Sequence, residues 1–220
     1  LLFATVGAGD SRLVTTPHFH GGSASRLRDV LLRAYRPVGR WALRRADAVV
    51  AVSDHERERL RSVFDLDAVV VPNGVDVDRF RGAEPSGRDA PYVLFVGRLQ
   101  EYKGIQHVVR ALGELPEYEL VIAGTGSFSS ALSEIAREAG VVDRVEFLGH
   151  VPDEVLPGLY AGADVFVTLS AFEAYGMTVG EALAAGTPCL VRAGSGLDDW
   201  EANPGVVRID SIDPETVAGA

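Results

Sequence analysis

Short, continuously apolar runs alternate with helical patterns along nearly the whole chain, and this alternation constrains the fold more than any other feature. Tyr92–Val96, Glu119–Ala123 and the stretches 144–148, 164–169, 188–191 and 206–209 read as strands, separated by helical stretches at 104–115, 127–139, 153–161 and 177–185. A strand that is apolar on both faces must be covered on both, which is the condition of a parallel sheet sandwiched between helices. An earlier series repeats the pattern. It has strands at 12–16, 47–52 and 68–71 and a helix over 26–46 with Leu27, Val30, Leu31, Ala34, Val38 and Trp41 on one side. Ser53, with Glu56 three residues on, opens a further helix in capping-box spacing. The fold class is therefore α/β, with right-handed crossovers expected throughout.

Residues 81–91 hold two glycines, two prolines and mixed charge, the weakest stretch for regular structure. The expected organisation is a first unit over 1–72, a linker at 73–89 and a second unit over 90–220. The apolar start, 1–9, has no Met and no basic flank, and 213–220 reads as an interrupted helix start, so the chain is expected to be part of a longer one. Thirty-one acidic residues against 21 basic ones, a net charge of −10, argue against duplex nucleic acid as the main partner. The single cysteine, Cys189, excludes an intrachain disulfide.

In parallel α/β sheets, ligands bind beyond the carboxyl ends of the strands, so the residues just after each strand are the candidates. After Tyr92–Val96 comes Gly97-Arg98-Leu99-Gln100-Glu101-Tyr102-Lys103-Gly104, two cations five apart on one strand-to-helix loop. This arrangement suits an anion such as a diphosphate; a solvated basic loop is the alternative. Lys103 is the only lysine among 21 basic residues, and a compact ammonium is not interchangeable with a guanidinium fork at a tight phosphate site. After the 164–169 strand, Glu173 lies in a loop and Glu181 in the following helix, with Gly176 near the helix start. A carboxylate accepts from adjacent sugar hydroxyls, and free amides at a helix start take an anion. Glu181 sits among Gly180, Ala182, Ala184 and Ala185, a small-residue face on which a carboxylate needs a partner.

The segment 97–104 resembles the G-R-x-x-x-x-K-G signature of retaining glycosyltransferases with the two-Rossmann (GT-B) fold. Ser170 to Pro188 resembles their S-x-x-E-x-x-G-x-x-x-x-E-A-x-A-x-G-x-P frame, which contains the E-x7-E pair. With Asn73-Gly74-Val75-Asp76 and Phe80, the chain is similar to glycosyltransferase family 4, the group 1 domain, over roughly 18–210. The resemblance implies two Rossmann-like parallel-sheet domains. The first, acceptor-side one would be incomplete, and the second, donor-binding one truncated at its end. It implies transfer of a sugar from a nucleoside-diphosphate sugar to an acceptor hydroxyl, with no cofactor and no metal. Arg98 and Lys103 would bind the diphosphate, Glu181 the ribose hydroxyls, and Glu173 the transferred sugar. Tyr175, Gly176, Met177 and Thr178 would offer backbone amides, and His150 and Val151 after Gly149 would hold the base. Gly97 and Gly124 would line the rim. His18 would face the reacting sugar from the first domain, with His20 as runner-up. The family's Gly-rich N-terminal loop is not present, so this chain alone is expected to have little transferase activity.

The Asp65-Leu66-Asp67 and Asp76-Val77-Asp78 matches to a metal-binding D-x-D are rejected, because the basic loop already supplies the counter-charge. Seven arginines between 26 and 45 make the first long helix basic, reading either as a solvated face or as a peripheral membrane contact that meets a lipid-linked acceptor. A sugar acceptor is the other class, and the expected place of action is the cytoplasm, at the inner face of the membrane if that helix is used. The alternatives to transfer are a non-catalytic nucleotide-sugar-binding module and a GT-B epimerase.

Overall fold

The computed structural model describes residues 12–19 and 26–220, which divide into two units, each built on a parallel sheet. Residues 1–9 and His20 lie outside the described residues, as do the side chains of Arg26, Arg28 and Arg33. The first unit comprises 1–73 together with Phe172–Tyr175, and the second Gly74–Ala171 and Gly176–Ala220.

The first unit has three parallel strands, β1 (Val14–Thr15), β2 (Ala48–Ala51) and β3 (Val69–Val70), in that spatial order. Helix α1 (Arg26–Leu43) ends three residues before the expected 46. The chain turns there, and the Asp47 carboxylate accepts the Leu13 amide at 2.7 Å, tying the entry of β2 to β1. Helix α2 (Asp54–Phe64) starts as expected: Ser53 Oγ accepts from the Glu56 amide at 2.9 Å. Leu43, Val49, Ala51, Leu60 and Phe64 form this unit's core.

The second unit carries six strands, β4 (Tyr92–Val96), β5 (Glu119–Ala123), β6 (Val145–Gly149), β7 (Val165–Thr168), β8 (Cys189–Arg192) and β9 (Val206–Ile209), all parallel. Their order is β6-β5-β4-β7-β8-β9. The chain thus builds outward from β4 to β6, then returns to pair β7 against the other side of β4. Apolar side chains on both faces feed two cores, one around Phe95, Ile105, Leu120 and Ile122 and the other around Leu94, Val121, Tyr160 and Phe166. Cys189 belongs to the second, and burial pushes its thiol up to about 12.

Residues 74–89, expected as a linker, group with the second unit. Asp76 caps a short helix, α3 (Val77–Phe80), that the sequence reading did not foresee. Phe80 is 2% exposed and packs edge-on against Tyr160, while Ser86 bonds both Gly158 and Tyr92. The expected helix 104–115 is α4 (Ile105–Ala111) followed by a 3-10 turn, Leu112–Glu114. There the Arg144 guanidinium donates to three carbonyls, of Leu112 at 2.8 Å, Leu115 at 2.6 Å and Tyr118 at 3.0 Å. The remaining helices are α5 (Ser129–Glu138), α6 (Leu156–Gly162), α7 (Met177–Ala185) and α8 (Pro214–Gly219). Removing a charged donor from part-buried carbonyls leaves them unsatisfied, so Arg144→Met is expected to cost about 2 kcal/mol. Urea denaturation checks this, and an unchanged midpoint would mean that water replaces the guanidinium.

Candidate functional site

Strands β4 and β7 are neighbours, with Val93 opposite Val165 and Leu94 opposite Phe166. Chain order reverses between them, which makes their carboxyl ends the topological switch point where ligand crevices form in such sheets. The loop after β4 is the Gly97–Gly104 segment, and the loop after β7 leads into α7. The two motifs singled out in the sequence therefore meet at one place in the sheet.

Backbone contacts knit these loops together. Gly97 N–H donates to Ala123 at 2.9 Å, Leu99 to Thr125 at 2.9 Å, Gly124 to Gly149 at 2.7 Å, and Ala171 to Tyr102 at 2.8 Å. Glycines permit the approach. A Cβ on Gly124 would lie 1.8 Å from the Gly97 carbonyl oxygen, and one on Gly104 would lie 2.4 Å from that of Leu169. Gly104 and Gly124 are required by the packing of loop on loop.

Within the first loop, Leu99 is buried and anchors it, while Arg98 is exposed and Lys103 half-buried. Tyr102 stands between the two cations: Arg98 donates to its hydroxyl at 3.3 Å, and Lys103 Nζ lies 5.5 Å from its ring centroid. Lys103 ends a 3-10 turn closed by Gly104 at φ +76°. His150 is exposed and Val151 half-buried just beyond β6, whose end is tied to Gly124.

Helix α7 begins after Gly176, at φ +88°, with no side-chain cap. Its first turn, Met177 and Thr178, presents N–H groups that lack intrahelical partners. Gly176 and Gly180 admit Leu197, Trp200 and Val75: a Cβ would lie 2.7 Å from Leu197 Cδ2 at the first and 2.6 Å from Val75 Cγ2 at the second. One turn further on, Glu181 accepts the Tyr160 hydroxyl on Oε2 at 2.8 Å. Burial pushes the Glu181 carboxyl up; the Tyr160 bond and the Arg79 charge pull it back down. Burial and the adjacent carboxylate hold the Tyr160 phenol well above its usual range. Tyr160 is thus the partner that the small-residue face around Glu181 demanded. It escaped sequence reading because it lies 21 residues away on α6, in a stretch with no charge pattern. Tyr102 was within the motif, and only its position between two cations gives it significance.

His18, Glu173 and Tyr175 belong by packing to the first unit. His18 is exposed and stands at φ +49°, and Glu173 is half-buried. The first aspartate of each D-x-D has a structural partner: Asp65 ends α2 in the left-handed region and pairs with Arg40 and with Arg44, and Asp76 caps α3. Among the described residues, no group of three or more His, Cys, Asp or Glu is placed to hold a metal ion.

Because Gly124 combines φ +150° with a blocked Cβ position, Gly124→Ala is expected to destabilise the second unit by about 3 kcal/mol or more. Gly186→Ala, at φ +87° but with nothing within 4 Å, is the comparison and should lose only about 1 kcal/mol. Equal losses in chemical denaturation would show that conformation, not loop contact, matters at Gly124.

Residues 76–206 match the glycosyl transferases group 1 family, and residues 1–79 match glycosyltransferase family 4. An uncharacterized glycosyltransferase of Methanocaldococcus jannaschii is 36% identical over 167 residues, 68% of this chain and 43% of that protein. A GDP-mannose-dependent alpha-(1-6)-phosphatidylinositol monomannoside mannosyltransferase of Mycolicibacterium smegmatis is 34% identical, covering 97% of this chain and 60% of that one. The chain therefore spans about half the length of these relatives. Among solved structures, sucrose-phosphate synthase from Thermosynechococcus elongatus superposes with a TM-score of 0.82 at 27% identity, over 96% of this chain and 57% of that one. Anabaena HepE in complex with UDP and glucose gives 0.81 at 20% identity, over 100% and 65%. This second likeness concerns the fold. On the match over most of its second unit and these relatives, the chain belongs to the glycosyl transferases group 1 family.

Proposed function

We propose that the chain belongs to a retaining glycosyltransferase that moves a sugar from a nucleoside-diphosphate sugar to an acceptor hydroxyl, and that its second unit binds the donor. The observation that carries this reading is the meeting of the Arg98–Lys103 loop and the start of α7 at the switch point between β4 and β7. Arg98 and Lys103, set around Tyr102, are suited to the diphosphate. As the bond between the sugar's anomeric carbon and the diphosphate oxygen breaks and the acceptor oxygen bonds that carbon, charge grows on the leaving nucleoside diphosphate, and cations already in place stabilise it without reorganisation. The amides of Gly176, Met177 and Thr178, with that of Tyr175, would take phosphate or sugar oxygens at the helix start. Glu181, with one oxygen held by Tyr160, has the other to accept ribose hydroxyls. His150 and Val151 would flank the base, with Gly97 and Gly124 on the rim. Glu173 would accept from the transferred sugar and His18 would donate to one of its hydroxyls. The reading needs no cofactor and no metal. Two similar proteins also point to a nucleotide-sugar donor: the mannosyltransferase is GDP-mannose-dependent, and HepE has UDP-glucose bound in its crystal structure.

The acceptor is proposed as a sugar or a lipid-linked sugar. On the described half of α1, Tyr35, Val38 and Trp41 are exposed beside Arg36, Arg44 and Arg45, with Arg45 4.7 Å over the Trp41 ring. An aromatic and basic face of this kind suits the surface of an anionic membrane, which supports a place of action at the inner face of the cytoplasmic membrane. Among the described residues, no helix is long and apolar enough to cross a membrane.

Calorimetric titration of UDP, GDP and ADP tests the donor site. One of the three should bind at least about tenfold more tightly than the others, and Lys103→Ala and Glu181→Ala should each lose at least about tenfold. Equal binding of all three, or variants that bind like the native chain, would overturn the assignment. The Glu181 carboxyl must be ionised to accept two hydroxyls, and burial raises its pKa, so binding should weaken on acidification at a pH above the ordinary carboxylate range. Tyr160→Phe removes a bond that lowers that pKa, so it should move this acid limb to still higher pH. An unmoved limb would mean that Tyr160 does not act through Glu181.

A further inference from the structure

The first unit holds a carboxylate that the proposed chemistry does not use. Glu56, on the first turn of α2, is fully buried, and each of its oxygens accepts a backbone amide. Oε2 accepts from Val52 at 2.8 Å. That bond is local, and with Ser53 accepting from the Glu56 amide it closes the start of the helix. The bond from the Phe19 amide to Oε1 reaches 37 residues back, to the loop after β1. A helix start already capped by Ser53 does not require it, and a buried carboxylate is costly unless its acceptors are matched.

Phe19 is pinned a second time, by its ring, which packs edge-on against Phe64 of the same helix with centroids 5.1 Å apart. The residue before it is His18, exposed and at φ +49°. A non-glycine residue stays in the left-handed region only where its surroundings over-determine it. The over-determination here is one residue downstream, where Phe19 is held by both its amide and its ring.

We propose that Glu56 is a positioning residue: by holding the Phe19 amide it locks His18 in its left-handed conformation and so sets where the imidazole is presented. The proposal rests on the reading of His18 as the first unit's site residue. It predicts that the geometry of an exposed histidine is controlled by a side chain with no access to substrate.

The test is hydrogen exchange at the Phe19 amide together with transfer kinetics in the full-length protein. In Glu56→Gln one acceptor oxygen becomes an N–H donor, so only one of the two amide bonds can persist. Phe19 exchange should accelerate, and kcat should fall by about tenfold or more, while the donor KM stays within about twofold, because the misplaced group acts on the reacting sugar and not on nucleotide binding. Ser53→Ala weakens the same helix start without touching Phe19, so it should lower the unfolding midpoint and leave Phe19 exchange and kcat as in the native protein. Unchanged Phe19 exchange in Glu56→Gln would overturn the proposal. So would Ser53→Ala doing the same damage as Glu56→Gln, which would reduce Glu56 to a helix cap. His18→Ala separates the two readings. If it keeps the native kcat while Glu56→Gln still frees Phe19, the role of His18 fails and the anchoring bond stands.

Discussion

The pairing of β4 with β7 is the contact on which the candidate site depends. Val93 and Val165 are separated by two strands and three helices in the chain, yet they lie opposite each other in the sheet. Once β5 and β6 occupy one side of β4, the returning chain has only the other side to take, and the direction of sheet growth reverses there. The consequence is geometric: the loops after β4 and β7 open next to each other, with no helix crossing between them. Cations from one loop and a helix start from the other are thereby brought to one place, an arrangement neither loop can form by itself.

Close approach of the loops then limits what the sequence can be. Gly104, Gly124, Gly176 and Gly180 each stand where a Cβ would collide with a backbone or a packed side chain. These positions are needed for the fold of the loops, whatever ligand they meet. Chemistry is left to a few side chains set on this rigid frame. The frame also sets the environment of Glu181, half-buried on a closely packed helix, where Tyr160 from α6 donates to one carboxylate oxygen. One bond thus orients the carboxylate and opposes the rise in its pKa that burial causes.

The first unit uses the same devices on a smaller scale. A three-stranded sheet and a compact core fix α2, and α2 in turn fixes the loop after β1 through the Glu56 carboxylate and the Phe64 ring. In both units a partly or wholly buried acidic side chain takes one donor from a distant segment. Glu181 is matched by a phenol and keeps an oxygen for a ligand, whereas Glu56 is matched by two amides and serves the backbone.

By itself the sequence determined the α/β class, the two series of strands, the strand-to-helix loops that carry Arg98, Lys103, Glu173 and Glu181, and the cap at Ser53. These are local properties: apolar runs, periodicity and spacing are read over ten or twenty residues, and the forces behind them act at that range. The helix at 77–80 and the attachment of 74–89 to the second unit escaped, because Phe80 and Ser86 find their partners on α6 and at Tyr92, which composition does not reveal. Tertiary structure alone decided that Tyr160 serves Glu181, that Gly124 is there for Gly97, and that Glu56 reaches Phe19. Each of these depends on segments 21 to 37 residues apart meeting at hydrogen-bond or van der Waals distance. A chain has many such pairs at those separations, and only the packed sheet and its crossovers select which of them touch.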